Sequence, residues 1–136
     1  LPHEVSFEDA ATVTLGAIAL QGVRRAQPTL GETFVVVGLG IIGQLTTQML
    51  KANGCKVIGI DVDSNRLRQA SSAGLDVSFL PEQMDSDSVK RFTDGFGADG
   101  VIITAATQDS AIVNNAFNMC RKKGRVVVVG DVGLNL

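Results

Sequence analysis

Residues 34–61 restrict the possible folds more than any other stretch. They read Phe34-Val35-Val36-Val37, then G-L-G-I-I-G from Gly38 to Gly43, then a helix-compatible segment, then Val57-Ile58-Gly59-Ile60-Asp61. Three consecutive valines suit a strand because β-branched side chains pack well on a pleated surface. Ile42, Leu45 and Met49 recur at helical spacing and predict one apolar helix face. The second apolar run ends on a carboxylate. Strand, tight turn, helix, parallel strand and acid, in that order, predict the βαβ unit that holds a dinucleotide.

Each residue type has a physical task in such a unit. Gly38 allows the sharp exit from the strand, Gly40 lets a pyrophosphate approach the backbone, and Gly43 lets the helix lie close on the strand. The unpaired amides of the helix's first turn, near Ile41 and Ile42, point at the phosphates, and the helix dipole adds positive potential. Asp61 follows Gly43 by 18 residues and falls at the tip of the second strand. A carboxylate there accepts hydrogen bonds from an adenosine ribose and repels a 2′-phosphate, which favours NAD over NADP. Among 15 glycines the glycine pattern alone is weak. The flanking strands and the spaced acid give it specificity over a plain βαβ unit with an incidental Asp.

The 136 residues correspond to one ordinary domain, which buries about two-thirds of the unfolded chain's surface. Hydrophobic residues at 45% and charged residues at 19% fit a soluble globular protein. Net charge is −2, which argues against nucleic acid as a partner. No apolar run is long enough to span a membrane, and the acidic opening, which starts at Leu1 without Met, carries no signal-peptide pattern. Cys55 leads into a strand, and Cys120 is expected on the apolar face of a helix. The two lack metal-ligand spacing and are read as reduced and structural, which suits a cytoplasmic protein.

Before the central unit, Ser6-Phe7-Glu8-Asp9 resembles a capping box and predicts a helix to about Ala26, with Ala10, Val13, Ala17 and Leu20 at helical spacing. Gly16 and Gly22 weaken that helix by about 1 kcal/mol each relative to Ala, or else permit close packing. Arg24 and Arg25 suit its C-terminus, and Pro28 and Gly31 mark the following loop. After the central unit, Asp63 or Ser64 should open a helix that buries Leu67 and Ala70 and stops at Gly74. A third strand is expected over 77–80, ended by Pro81, then a short helix over 85–94 opened by Asp85 or Ser86. A fourth strand is expected over 101–104. A helix over 110–121 follows, capped by Asp109 and ended by Gly124, with Val113, Ala116, Phe117 and Cys120 as its stripe. Strand five should cover 126–129.

The strong strands are continuous apolar runs, so both faces of a parallel sheet are expected to be covered by helices. Right-handed crossovers and a switch after the third strand predict an α/β, three-layer, doubly wound parallel sheet of order 3-2-1-4-5. A ligand would lie across the carboxyl ends of strands one and four, near Gly38 and the Ala105-Ala106-Thr107 stretch, with Gly130-Asp131 on the same rim. The six-strand form of this fold needs one strand more than the sequence to Leu136 contains, which would leave an edge bare.

Taken together, the helix from Asp9 to Ala26, Gly31-Glu32, V-V-V-G-L-G-I-I-G, the Cys55–Asp61 strand, Gly97-Ala98-Asp99-Gly100 and Gly124-Arg125-Val126-Val127 resemble the Rossmann coenzyme domain of medium-chain dehydrogenase/reductases, the alcohol-dehydrogenase-like superfamily. Within it the chain resembles threonine- or sorbitol-dehydrogenase-type and sugar-biosynthetic oxidoreductases. The resemblance implies a connecting segment over 1–30 and an NAD-binding domain over 31–136 of a longer, NAD-dependent enzyme that moves hydride between an alcohol or ketone, or a sugar-derived substrate, and nicotinamide. It implies that Gly38, Gly40 and Gly43 form the phosphate turn and Asp61 the ribose acid. It also places Arg66 by the ribose and phosphate, Ala105 and Ala106 on the rim near that ribose, and Gly130 and Asp131 near the nicotinamide. Arg66 also reads as a solvated helix residue and Asp131 as a turn former. The resemblance further implies a homodimer of the parent, since such dimers often form through the outer strand.

Departures from the pattern carry their own expectations. The catalytic domain of the superfamily is not in this chain, and in zinc-dependent relatives a further ligand stands where this chain has Val13, flanked by Thr12 and Thr14. Valine cannot bind Zn²⁺, Glu8 and Asp9 are offset, and His3 is the single histidine, so no zinc is expected here. No residue reads as a catalytic acid, base or nucleophile, and the fragment alone is expected to bind NAD(H) without turnover. Two other classes remain open. One is an NAD(H)-sensing module, although the helix before the first strand argues against it. The other is a non-redox sugar-nucleotide enzyme, although the chain has no tyrosine for a Tyr-x-x-x-Lys pair.

Overall fold

A computed structural model of the protein describes residues 2–84 and 87–133. Its sheet has five parallel strands: β1 (Thr33–Val37), β2 (Lys56–Ile60), β3 (Val77–Phe79), β4 (Ala98–Ile103) and β5 (Cys120–Val128), in the order β3-β2-β1-β4-β5. The expected order is therefore present. All five residues of β1 are buried, as a central strand between two helix layers requires. Val35 pairs with Ile58 on one side and Val101 on the other, so the apolar runs lie in register.

Alternation along the strands splits the core in two. Phe34, Val36, Val57 and Ile102 face α2 (Val13–Ala26), α3 (Ile41–Ala52) and α4 (Ser64–Ser72). Val35, Val37, Ile58, Ile60 and Val101 face the four-residue α5 (Ser88–Arg91) and α6 (Ala111–Met119).

Several local expectations are corrected. The first helix is interrupted at Thr12, where α1 (Phe7–Ala11) ends. The Thr12 hydroxyl donates to the Asp9 carbonyl at 2.7 Å and competes for the backbone acceptor of the helix. Ser6 does cap α1, accepting from the Asp9 amide at 3.0 Å.

The buried face of α2 is Ala19, Gly22, Val23 and Ala26, whereas Val13 is 63% exposed. Small residues win that face because the helix sits hard against the sheet. A Cβ on Gly22 would come 2.5 Å from Val129 Cγ2, while one on Gly16 would meet nothing. In α3 likewise, Gly43, Thr46, Thr47 and Leu50 are buried, while Ile42, Leu45 and Met49 are only half-buried.

Asp63 caps α4 through the Asn65 amide, and Leu67 and Ala70 are buried as expected. The predicted helix over 85–94 shortens to α5, and its expected openers Asp85 and Ser86 lie outside the described residues. Strand β4 starts at Ala98, earlier than the apolar run, because Asp99 accepts from the Thr33 amide at 2.8 Å and fixes the strand's entry. Helix α6 ends at Met119, and Cys120 begins β5. Gly124 ends no helix. It falls in a bulge between the pairings Ala98↔Cys120 and Gly100↔Arg125, where Lys123 adopts φ 64°.

Candidate functional site

The carboxyl ends of β1, β2 and β4 open into a cleft of about 1190 Å³. Gly38 leaves β1 at φ 91°, a conformation that favours glycine, and a Cβ there would come 2.6 Å from the Ala105 amide nitrogen. The turn is held on both sides. The Gly38 amide donates to the Ile60 carbonyl at 2.8 Å, and Thr104 Oγ1 donates to the Gly38 carbonyl at 2.5 Å. At Gly43 an added Cβ would overlap the Gly38 carbonyl, so α3 rests directly on the exit of β1.

Gly40 is the opposite case. It is the N-cap of α3, with ordinary φ of −64°, and an added Cβ would find no atom within 4 Å. It lines the cleft with Ile41 and Ile42, whose first-turn amides have no intrahelical acceptor. Bare backbone, open space and a helix N-terminus make this the anion-receptive part of the rim.

Asp61 is only 5% exposed, yet it lines the same cleft. Its Oδ2 accepts from the Leu39 amide at 2.5 Å and its Oδ1 from the Asp63 amide at 2.8 Å. Each carboxylate oxygen has two acceptor sites, so one on each remains for a ligand hydroxyl. The acid therefore braces the glycine turn as well as facing the cleft. Leu39 is fully buried, and its carbonyl accepts from Gln44 Nε2 at 3.1 Å. The same Nε2 donates to the Arg66 carbonyl at 3.0 Å, which ties α3 to the first turn of α4. The Arg66 guanidinium lies 3.7 Å from Asp61 and 3.8 Å from Asp63.

Of the residues singled out from sequence, Gly38, Gly40, Ile41, Ile42, Asp61, Arg66, Ala105 and Ala106 line one cleft. Gly43 sits beneath it. Gly130 and Asp131 stand beside it, outside its lining. The Gly130 amide donates to the Ile103 carbonyl and a Cβ on Gly130 would overlap the Ala105 carbonyl, while the Asp131 carbonyl accepts from the Thr107 amide at 2.9 Å.

Sequence reasoning missed Gln44, the bracing role of Asp61 and the wall that α6 contributes. Asn115 and Asn118, three apart on α6, also line the cleft. A polar pair standing two residues after each of the apolar positions Val113 and Ala116 was the available signal. Nothing in the pattern marked Gln44.

Among the described residues, no three His, Cys, Asp or Glu side chains come together as a metal site. Val13 projects from the exposed side of α2, and the residues present do not fit a bound zinc. No helix among them is long and apolar enough to cross a membrane.

Comparison with known proteins finds the same fold. The chain is 32% identical over 98% of its length to the erythritol/L-threitol dehydrogenase of Mycolicibacterium smegmatis, of which it covers 38%. It is 35% identical over 81% of its length to the D-guloside 3-dehydrogenase of Escherichia coli, covering 32% of that protein. Among solved structures, alcohol dehydrogenase TADH from Thermus sp. ATN1 superposes with a TM-score of 0.88 at 28% identity, over all of this chain and 42% of that one. The chain thus spans about two-fifths of the length of such relatives. Residues 42–135 match the family described as zinc-binding dehydrogenase, and with that match over most of its length the chain belongs to this family, as a part bearing the dinucleotide fold.

Proposed function

We propose that this chain is the coenzyme-holding part of a longer, cytoplasmic, NAD(H)-dependent oxidoreductase acting on an alcohol carbon of a polyol or sugar-like substrate. The open approach to Gly40, between first-turn amides and the Asp61 carboxylate, carries this reading. Residues 31–136 serve as the dinucleotide domain and residues 1–30 as the segment leading in from a substrate-holding part.

The bound nicotinamide supplies the hydride acceptor or donor. This chain's residues bind and orient it. The amides of Ile41 and Ile42 meet the diphosphate, and Gly38, Gly40 and Gly43 bring the backbone within reach. Asp61 accepts from the adenosine ribose through its remaining lone pairs, and Arg66 borders that ribose. Ala105 and Ala106 provide a small-residue wall, and Gly130 and Asp131 border the nicotinamide side. The Asp61 charge favours NAD over NADP.

The substrate class follows from relatives whose names specify erythritol, L-threitol and D-guloside. No proton-transfer group and no metal step is assigned to this chain.

Titration with NADH, followed by fluorescence and by heat, tests the reading. Saturable binding is expected. No signal up to millimolar NADH would refute it.

A further inference from the structure

The peptide that joins Leu39 to Gly40 is the middle of the glycine turn, and a side chain from the first turn of α3 holds it. Gln44 Nε2 donates to the Leu39 carbonyl at 3.1 Å and to the Arg66 carbonyl at 3.0 Å. Two carbonyl acceptors require the NH₂ end of the side-chain amide, so both of its hydrogens are committed and the group is fixed in rotation. The rest of Leu39 is fixed as well. Its amide donates to Asp61 Oδ2 at 2.5 Å, and its side chain is fully buried.

A trans peptide is a rigid plane whose C=O and N–H point in opposite directions. Holding the Leu39 oxygen against Gln44 therefore aims the Gly40 N–H away from Gln44. Gly40 lines the cleft, whereas Leu39 and Gln44 stand behind its lining, so that direction is the cleft's. Glycine makes the orientation insecure. Turning the peptide over carries Gly40 from φ −64° to positive φ, which glycine adopts about as readily. The turned peptide would present a carbonyl oxygen to the cleft in place of a donor.

We propose that Gln44 is a positioning residue, which locks the Leu39–Gly40 peptide so that the Gly40 amide faces the diphosphate of the coenzyme. The inference rests on the proposed binding of a nicotinamide dinucleotide in this cleft. Gln44 acts through the backbone and does not touch the ligand. Its second bond, to the Arg66 carbonyl, anchors the lock to the first turn of α4 and keeps it from swinging.

The test uses the full chain, labelled with ¹⁵N. In wild type, saturating NADH should move the Gly40 amide resonance downfield, as a new hydrogen bond to phosphate does. Gln44→Met keeps the length and helix propensity of the side chain but has no donor. Dissociation constants for NADH, ADP and adenosine are then compared between wild type and variant. Losing one charge-assisted hydrogen bond should weaken NADH and ADP about ten- to a hundred-fold. Adenosine, which carries no phosphate, should bind as before. Unchanged NADH and ADP affinities in Gln44→Met overturn the proposal, as does equal weakening of all three ligands, the mark of a merely structural role. A Gly40 amide that stays put while wild type binds NADH overturns this inference alone and needs no variant. Failure of wild type to bind NADH overturns both this inference and the function it rests on.

Discussion

Gly40→Ala and Gly43→Ala make opposite demands on the glycine turn, and the structure gives their sizes. Gly40 has φ −64° and ψ −170°, which alanine adopts freely, and an added Cβ meets nothing within 4 Å. Alanine is a poorer N-cap than glycine by up to about 1 kcal/mol. The lower entropy of the unfolded alanine chain returns about 0.4–1 kcal/mol, so stability should hardly change. Binding should change, because the new methyl fills the space through which a diphosphate reaches the first-turn amides. Losing one charge-assisted hydrogen bond, worth about 1.5–3 kcal/mol, weakens NADH about ten- to a hundred-fold. At Gly43 the added methyl overlaps the Gly38 carbonyl and comes 2.9 Å from Thr104 Oγ1. That overpacking costs about 1–3 kcal/mol or more, and the melting temperature should fall by about 4–10 °C. Thermal melts without ligand and NADH titrations separate the two. Wild-type NADH affinity in Gly40→Ala, or a melting temperature lowered as far as in Gly43→Ala, would refute the assignment of open and closed glycines.

Three further perturbations probe other parts of the structure. Asp61→Asn turns an amide NH₂ toward one of two backbone donors, so the ligand-free protein should lose about 1–3 kcal/mol in a denaturant melt as well as losing NADH affinity. Phe34→Ala empties a fully buried site packed against Gly100 and lying under Arg125, and should cost about 3–5 kcal/mol by urea unfolding. Burial opposes the charged form of Asp99, but the Thr33 amide and the Arg121 and Arg125 charges outweigh it and hold its carboxyl below the usual range. A carboxyl lowered in the folded state contributes stability that is full above its unfolded value, about 3.9, and lost as pH falls through the folded value. Asp99→Asn should therefore narrow its stability deficit against wild type below about pH 4, read from melts across acid pH.

The sheet was legible because buried parallel strands must be continuous apolar runs, and Val35–Val37, Val57–Ile60 and Val101–Ile103 are such runs. The glycine turn was legible because two of its three glycines answer geometric needs that few other residues meet. Helix faces were not. In α2 and α3 the apolar spacing pointed to Val13 and Leu20, and to Ile42 and Met49. Burial went instead to Ala19 and Gly22, and to Thr46 and Thr47, where small side chains allow close approach. The extent of β5 was hidden because Arg121, Lys122 and Lys123 do not look like a strand. A bulge and the Arg121–Asp99 pair at 2.6 Å carry the chain through them. The dual engagement of Asp61 depends on where the Leu39 and Asp63 amides point, which spacing alone does not encode.

The polar cluster at the starting ends of β1, β4 and β5 has a broader implication. Glu32 accepts from the Thr29 amide and pairs with Arg125 at 2.5 Å, and Asp99 joins the Thr33 amide to Arg121. These latches lie at the far pole of the sheet from the glycine turn, with whole strands between them. The polar latches of one pole are thus separate from the groups that face the cleft at the other. A substitution among the latches can therefore change stability without touching a residue that lines the cleft.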